Sequence, residues 1–559
     1  MRMRIVVPSP FVCAASLLCS ALAAFGTTYP VDTVESLASA LRRAGPDDEV
    51  IIAKGFYRLP AEACSTNQPG GVGLSHFYVN TRLVGAGETR EETVLAGTGE
   101  FRIFSVSQDG RVENLTISNG YARAYGDYPN SQRGGGVYGS GRMVNCAILD
   151  CHAQTYAGGA GGGMTLERCL VRGCSAESGG GMHSGAAYHT TFCANSAIST
   201  SIGNGGGIFS VLAVHCNVLS NSCAKNGGGG YQIAVASNCL FSANNAGESG
   251  GGVYNLSLDV GRLVNCDIIG NAAAKGGGLY QVEACGGFVC DNYSTSHGGG
   301  VYSSLCRAVT NRNNICGEKA TGNNSYMSDF YDCSIEGTDV SWGSATRCVF
   351  SGIGRQVSLK DNPYSQASVA CTRVWIYFPN ATNCLFRDNC VSAYLFQGGG
   401  AAKLTSTLVN CTVVSNVCAT VIGGFKDANF PFVAVNSVFF GNSLANGTKR
   451  DLSILADTLV SFSSVAFAVS PLSTSSYPKG ALLKFGEDGF GADPKFAGGD
   501  SHPYALRAAS PLRGAGVWSA WMAGASDIRS QARWARANGE SVDIGCYQYW
   551  RDATTMIVR

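Results

Sequence analysis

Asp267 and Asp291 each follow a cysteine and lie 24 residues apart. On adjacent turns of a repeating coil, equivalent positions would stand ~5 Å from each other, a spacing suited to a retaining glycosidase. Aligning the chain on its recurring asparagines removes that pair, because Asp267 then matches Phe288. His215 beside Cys216 has the residue types of a nucleophile and base, but neighbours on a strand point to opposite faces. The seven histidines do not recur with acidic or cysteine partners at ligand spacing. No C-x-x-C is present, so zinc-ribbon and thioredoxin-like chemistry is unsupported. Gly158 to Gly163 resembles a phosphate-cradling string, yet no strand–turn–helix unit surrounds it and no G-x-x-x-x-G-K-[ST] occurs. Catalytic residues, metal ligands and cofactors are therefore not assigned.

Tyrosines offer a different chemistry. Two residues after the last glycine of each glycine run stand Tyr138, Thr165, His183, Phe209, Gln232, Tyr254, Tyr280 and Tyr302. Strand alternation points these outward if the preceding residues point in. Tyr254, Tyr280 and Tyr302 are consecutive and form the candidate binding face. Such rings either stack on sugars or a protein partner, or stack on one another and only steady the sheet.

A repeat sets where these tyrosines fall. Glycine runs end at Gly136, Gly163, Gly181, Gly207, Gly230, Gly252, Gly278 and Gly300, with a mean spacing of about 23 residues. Fourteen residues beyond the glycine lie Asn195, Asn221, Asn244, Asn292 and Asn314, with Asp150 in the first repeat. The gap from Gly252 to Asn271 is 19 residues, as if five were inserted. Short apolar segments precede each asparagine, such as Cys216–Asn221, Cys239–Asn244 and Cys266–Asn271. Cys216/Val218, Cys239/Phe241 and Cys266/Ile268 share one strand face and should point inward. The asparagines suit the corner that ends the strand, where left-handed backbone is needed.

Composition agrees with a coil. Of 559 residues, 74 are glycine, against a usual ~7%, and only 14% are charged. Lys+Arg is 40 and Asp+Glu is 39, so no basic excess points to nucleic acid or to an anionic membrane surface. Arg2 and Arg4, the apolar run Phe11 to Ala24 and Ala21-Leu22-Ala23 read as an export signal over 1–24. The mature chain is expected to be an exported monomer without an integral membrane segment.

The glycine–hydrophobic and apolar-x-x-Asn pattern resembles the repeats of chlamydial polymorphic outer-membrane proteins. More broadly the chain is similar, over roughly residues 30–550, to exported bacterial right-handed parallel β-helix proteins of the pectin-lyase-like superfamily. The resemblance implies an all-β solenoid with a short capping helix from Val34. On that reading 25–79 forms the cap and first strands, 80–470 the coils with 319–380 irregular, and 471–559 the closing segment. A run of alternating strands of about 10 residues is not seen near the carboxy end, so anchoring through a membrane barrel is not expected. The function this leads to is non-catalytic, adhesin-like binding of glycans or proteins at a cell surface or in a matrix. The alternative is a polysaccharide lyase or glycoside hydrolase, since fold alone does not decide activity. Most of the 22 cysteines beyond the signal are expected as stacked inward thiols, with disulfides as the alternative. Cys223, Cys316 and Cys418, placed at the corners, are the expected bridge formers.

Overall fold

The computed structural model describes residues 26–61, 75–124, 130–317, 325–337, 340–341, 343–354, 357–358, 368–369, 376–377, 380–398, 406–424, 431–455, 460–467, 481–484, 493–535 and 539–549. The export segment lies outside them.

The chain is a right-handed parallel β-helix. One coil shows the plan. Val253–Tyr254, Arg262–Val264, Asp267–Ile269 and Ala272–Lys275 are its four strands. Each pairs in parallel with its counterpart one coil on: Tyr254 with Tyr280, Leu263 with Ala284, Ile268 with Val289 and Ala272 with Tyr293. Stacked along the rod, these make a first, second, third and fourth sheet. The fourth has nine strands among the described residues.

The start is closed by a helix, α1, spanning Val34–Arg43. Thr33 caps it by accepting from the Ser36 backbone N–H at 3.0 Å, and the Ser36 hydroxyl oxygen accepts in return from the Thr33 N–H. Leu37, Ala40 and Leu41 turn its apolar stripe onto the first strands.

Inside, alternation delivers one side chain from each of the first three strands to the core. Leu263, Ile268, Val253 and Cys266 are all buried. The register corrects the glycine alignment in two repeats. Gly159 and Gly229, not Gly163 and Gly230, stand in the glycine column, because Gly136 N–H donates to Gly159 and Gly229 N–H to Gly251. Gly250 has φ +66, and a Cβ on Gly251 would strike the Ala272 and Gly277 carbonyls of neighbouring coils. Tight corners and close coil-to-coil approach thus set these positions.

The asparagines differ from expectation. Left-handed backbone falls on the residue before each one: Ala194, Ser220, Ala243 and Gly270. The asparagine itself points inward and is fully buried, because an inward amide reaches the backbone of the next coil. The corner cysteines differ too. Cys223 and Cys418 are free and buried, Cys223 among the small side chains of the fourth sheet and Cys418 in the main core, while buried Cys316 lies 2.7 Å from the Ser294 hydroxyl. Cys216, Cys239 and Cys266 point inward as free thiols, each Sγ within 3.5 Å of two backbone carbonyls.

Coils continue through the irregular stretch. Ser325–Tyr326, Asp329–Tyr331 and Ser334–Glu336 pair with Val340–Ser341, Ser344–Thr346 and Val349–Ser351 on a coil only 15 residues long. The closing segment lies over the outer face of the third sheet. Leu506, Leu512, Ile544 and Tyr547 cover Leu385, Val414 and Val438. Asn436 clasps Val517 through two hydrogen bonds of 2.8 Å. Buried Arg533 donates to Asn383 Oδ1 at 2.7 Å and to the Gly545 carbonyl at 2.6 Å. Burial lowers the Arg533 guanidinium to about 10, so it remains charged at neutral pH.

Candidate binding face

The first sheet carries a ribbon of aromatic rings on its outer side. The register places His183, Phe209, Tyr231, Tyr254, Tyr280, Tyr302 and Tyr326 on seven successive coils. Tyr254, Tyr280 and Tyr302 stand together as expected. Two members of the expected row are corrected. Thr165 and Gln232 give way to Gly161 and Tyr231, because the glycine column in those repeats begins four residues and one residue earlier. Tyr326 was missed because its coil lacks the glycine run.

The rings stack face to face. Centroids are 5.2 Å apart for Tyr231–Tyr254, 4.9 Å for Tyr254–Tyr280 and 4.8 Å for Tyr280–Tyr302, with interplanar angles of 1°, 12° and 7°. In-register parallel strands impose that spacing, since neighbours lie ~4.8 Å apart. Tyr302–Tyr326 extends the stack at 5.2 Å; His183 and Phe209 stack on each other at 4.5 Å, and Phe209 meets Tyr231 at 4.7 Å with a tilt of 44°. Gly161 and Gly162 interrupt the ribbon and leave room for the Tyr138 ring, which would meet a Cβ at either position. The buried Arg102 guanidinium lies 5.0 Å from the centre of that ring.

Stacking consumes the ring faces. What the ribbon presents is a row of ring edges and hydroxyls. The hydroxyls of Tyr254, Tyr280 and Tyr302 make no hydrogen bond among the described residues. Burial raises the pKa of these three tyrosine hydroxyls above the ordinary value, and each is raised further by a neighbouring tyrosine. They stay neutral at physiological pH, each able to donate and accept.

A shoulder flanks the ribbon. The five extra residues of that repeat form a loop between the first and second sheets, after Tyr254. It exposes Leu256, Leu258 and Val260, and Val235 of the preceding coil is exposed beside it. Asn255 ties the loop down by accepting from the Ile233 N–H at 2.9 Å. The spacing anomaly was visible in the sequence, but its apolar content was overlooked.

The aspartate, histidine and cysteine candidates do not form a site. Asp267 lies opposite Phe288 and accepts from its N–H at 3.2 Å. His215 is exposed at a left-handed corner and stacks on His189, with centroids 4.9 Å apart, while Cys216 turns into the core. Among the described residues, no group of three or more His, Cys, Asp or Glu stands ready to hold a metal ion. No helix among them is long and apolar enough to cross a membrane.

No protein-family model matches the chain, and no curated protein matches it. Solved structures similar to it include the pectate lyase Pel9A, at 11% identity and a TM-score of 0.24, covering 92% of this chain and 90% of that one. The A-module of a mannuronan C-5 epimerase from Azotobacter vinelandii is 15% identical, with a TM-score of 0.22, over 83% of this chain and 97% of the other. A mannuronic acid specific family 6 polysaccharide lyase from human gut microbiota is 12% identical, with a TM-score of 0.20, over 83% and 92%. The fold rests on the strand register described above.

Proposed function

We propose that this chain is an exported, non-catalytic binding rod, adhesin-like, that offers its first-sheet ribbon to glycans or proteins at a cell surface or in a matrix. The observation that supports this is the unbroken run of rings from His183 to Tyr326. Stacking fixes each ring in place, so little side-chain entropy is left to lose on binding. Tyrosine joins apolar area to a polar tip, which suits an interface that is half wet. A ligand that repeats along the rod axis meets the same edge and hydroxyl on every coil.

The test is a screen of the full chain against acidic and neutral polysaccharides, with and without calcium. Both retention and chain shortening are followed. Retention without shortening is expected. Shortened products would replace this function with that of a polysaccharide lyase or glycoside hydrolase.

A further inference from the structure

A cavity of 190 Å³ lies between the third sheet and the closing segment. It is on a different sheet from the ribbon, and its assignment stands apart from the ribbon's function. Val349 and Leu385, on adjacent paired strands, and the ring of Tyr547 give it apolar walls. Arg387, Asp500 and His502 supply polar groups.

The two charges are differently placed. Arg387 gives one Nη1–H to Asp388 at 3.0 Å and is 40% exposed at its side chain, so further guanidinium donors remain. Asp500 is exposed and has no ion pair among the described residues. Tyr547 stays neutral: burial raises its hydroxyl, outweighing the opposing pull of Arg529 and Arg387. The His502 ring stands edge-on to Tyr547, centroids 6.0 Å apart.

Arg387, Asp500, whose carboxylate has no ion pair among the described residues, and apolar walls lining one small space call for a ligand with a carboxylate, a cation and an apolar body. A peptide terminus brings one of the two charges. A sugar acid brings the carboxylate without the cation. The volume of 190 Å³ equals about six waters at about 30 Å³ each, room for a molecule the size of leucine.

We propose that this cavity binds a free α-amino acid with an apolar side chain: carboxylate on Arg387, ammonium on Asp500, side chain against Val349, Leu385 and Tyr547.

Titration calorimetry of the full chain tests this with leucine, N-acetyl-leucine, leucinamide and glucuronate. Leucine should bind saturably at one site. N-acetyl-leucine and leucinamide should bind about tenfold more weakly or worse, because each lacks one charge-assisted contact. Asp500→Asn should weaken leucine about tenfold and leave N-acetyl-leucine unchanged. Arg387→Gln should weaken leucine and leave leucinamide unchanged. No saturable heat with leucine, tighter binding of glucuronate, or unchanged leucine affinity in both variants would overturn the assignment. The ligand series on the unmodified chain decides the matter even where a variant fails to fold.

Discussion

Asn244 Oδ1 accepts two hydrogen bonds from one residue, the backbone N–H of Asn221 at 2.9 Å and its side-chain Nδ2–H at 3.0 Å. Asn244 passes its own Nδ2 protons to Asn271 Oδ1 and to the Val218 carbonyl, both at 2.9 Å. One amide therefore satisfies four polar contacts in a position with 0% exposure. The relay runs from Asn195 to Asn314 and recurs from Asn389 to Asn442.

Asn244→Ala should be strongly destabilising. It strands the Asn221 N–H and the Val218 carbonyl in the core, at about 1–3 kcal/mol each. The urea midpoint should fall accordingly. Asn217→Ala, on an exposed strand position of the preceding coil, should stay within about 0.5 kcal/mol of the parent. Equal midpoints for the two variants would remove the amide relay from the account.

The period, the cap and the inward cysteines were legible because each leaves a spacing or an alternation in the sequence. The role of the asparagines was not. A left-handed corner and a buried amide relay both favour asparagine every coil, and only the structure shows that Ala243 takes the turn. Gly229 and Gly230 are interchangeable as letters, so the Tyr231 position was misread by one residue, and one residue flips a side chain across the sheet. The Arg387–Asp500 cavity was not legible, since its two charges lie more than a hundred residues apart and meet only where the closing segment folds back.

Thiol labelling should divide the cysteines by position. Cys390 is exposed and should react at once in the native protein. Cys216, Cys239 and Cys266 should need denaturant, being buried and hydrogen-bonded to backbone carbonyls. Native labelling at these three, or mass-spectrometric evidence of bridges among them, would contradict the stacked thiols.

Alkaline pH should weaken the rod. Burial pushes the Cys223 and Cys418 thiols up to about 12 from an ordinary value of 9.0. A raised folded-state value gives stability that is complete below 9 and is lost as pH rises toward 12. Each such group contributes at most about 1.4 kcal/mol per pH unit in that window. The melting temperature should decline steadily from pH 9 to 11. A flat profile would mean that these thiols ionise freely in the folded state.

Acid should act on the first ring of the ribbon. Burial, and then the Arg133 charge, lower His183 to about 4 from 6.5. Its contribution is present above 6.5 and is lost as pH falls through 4. His183→Phe keeps the stack on Phe209 and cannot be protonated. It should melt higher than the parent near pH 4 and equally at pH 8. Identical acid sensitivity would place the weakness elsewhere.

The proposed binding by the ribbon turns on hydroxyls, because the stacked faces are occupied. The triple change Tyr254→Phe, Tyr280→Phe and Tyr302→Phe preserves the stack and removes those hydroxyls. At about 0.5–1.5 kcal/mol for each lost hydrogen bond, retention on the glycan or surface that holds the parent chain should fall at least about tenfold, with the melting temperature unchanged. Unchanged retention at an unchanged melting temperature would show that the ribbon only steadies the sheet and is not the binding face.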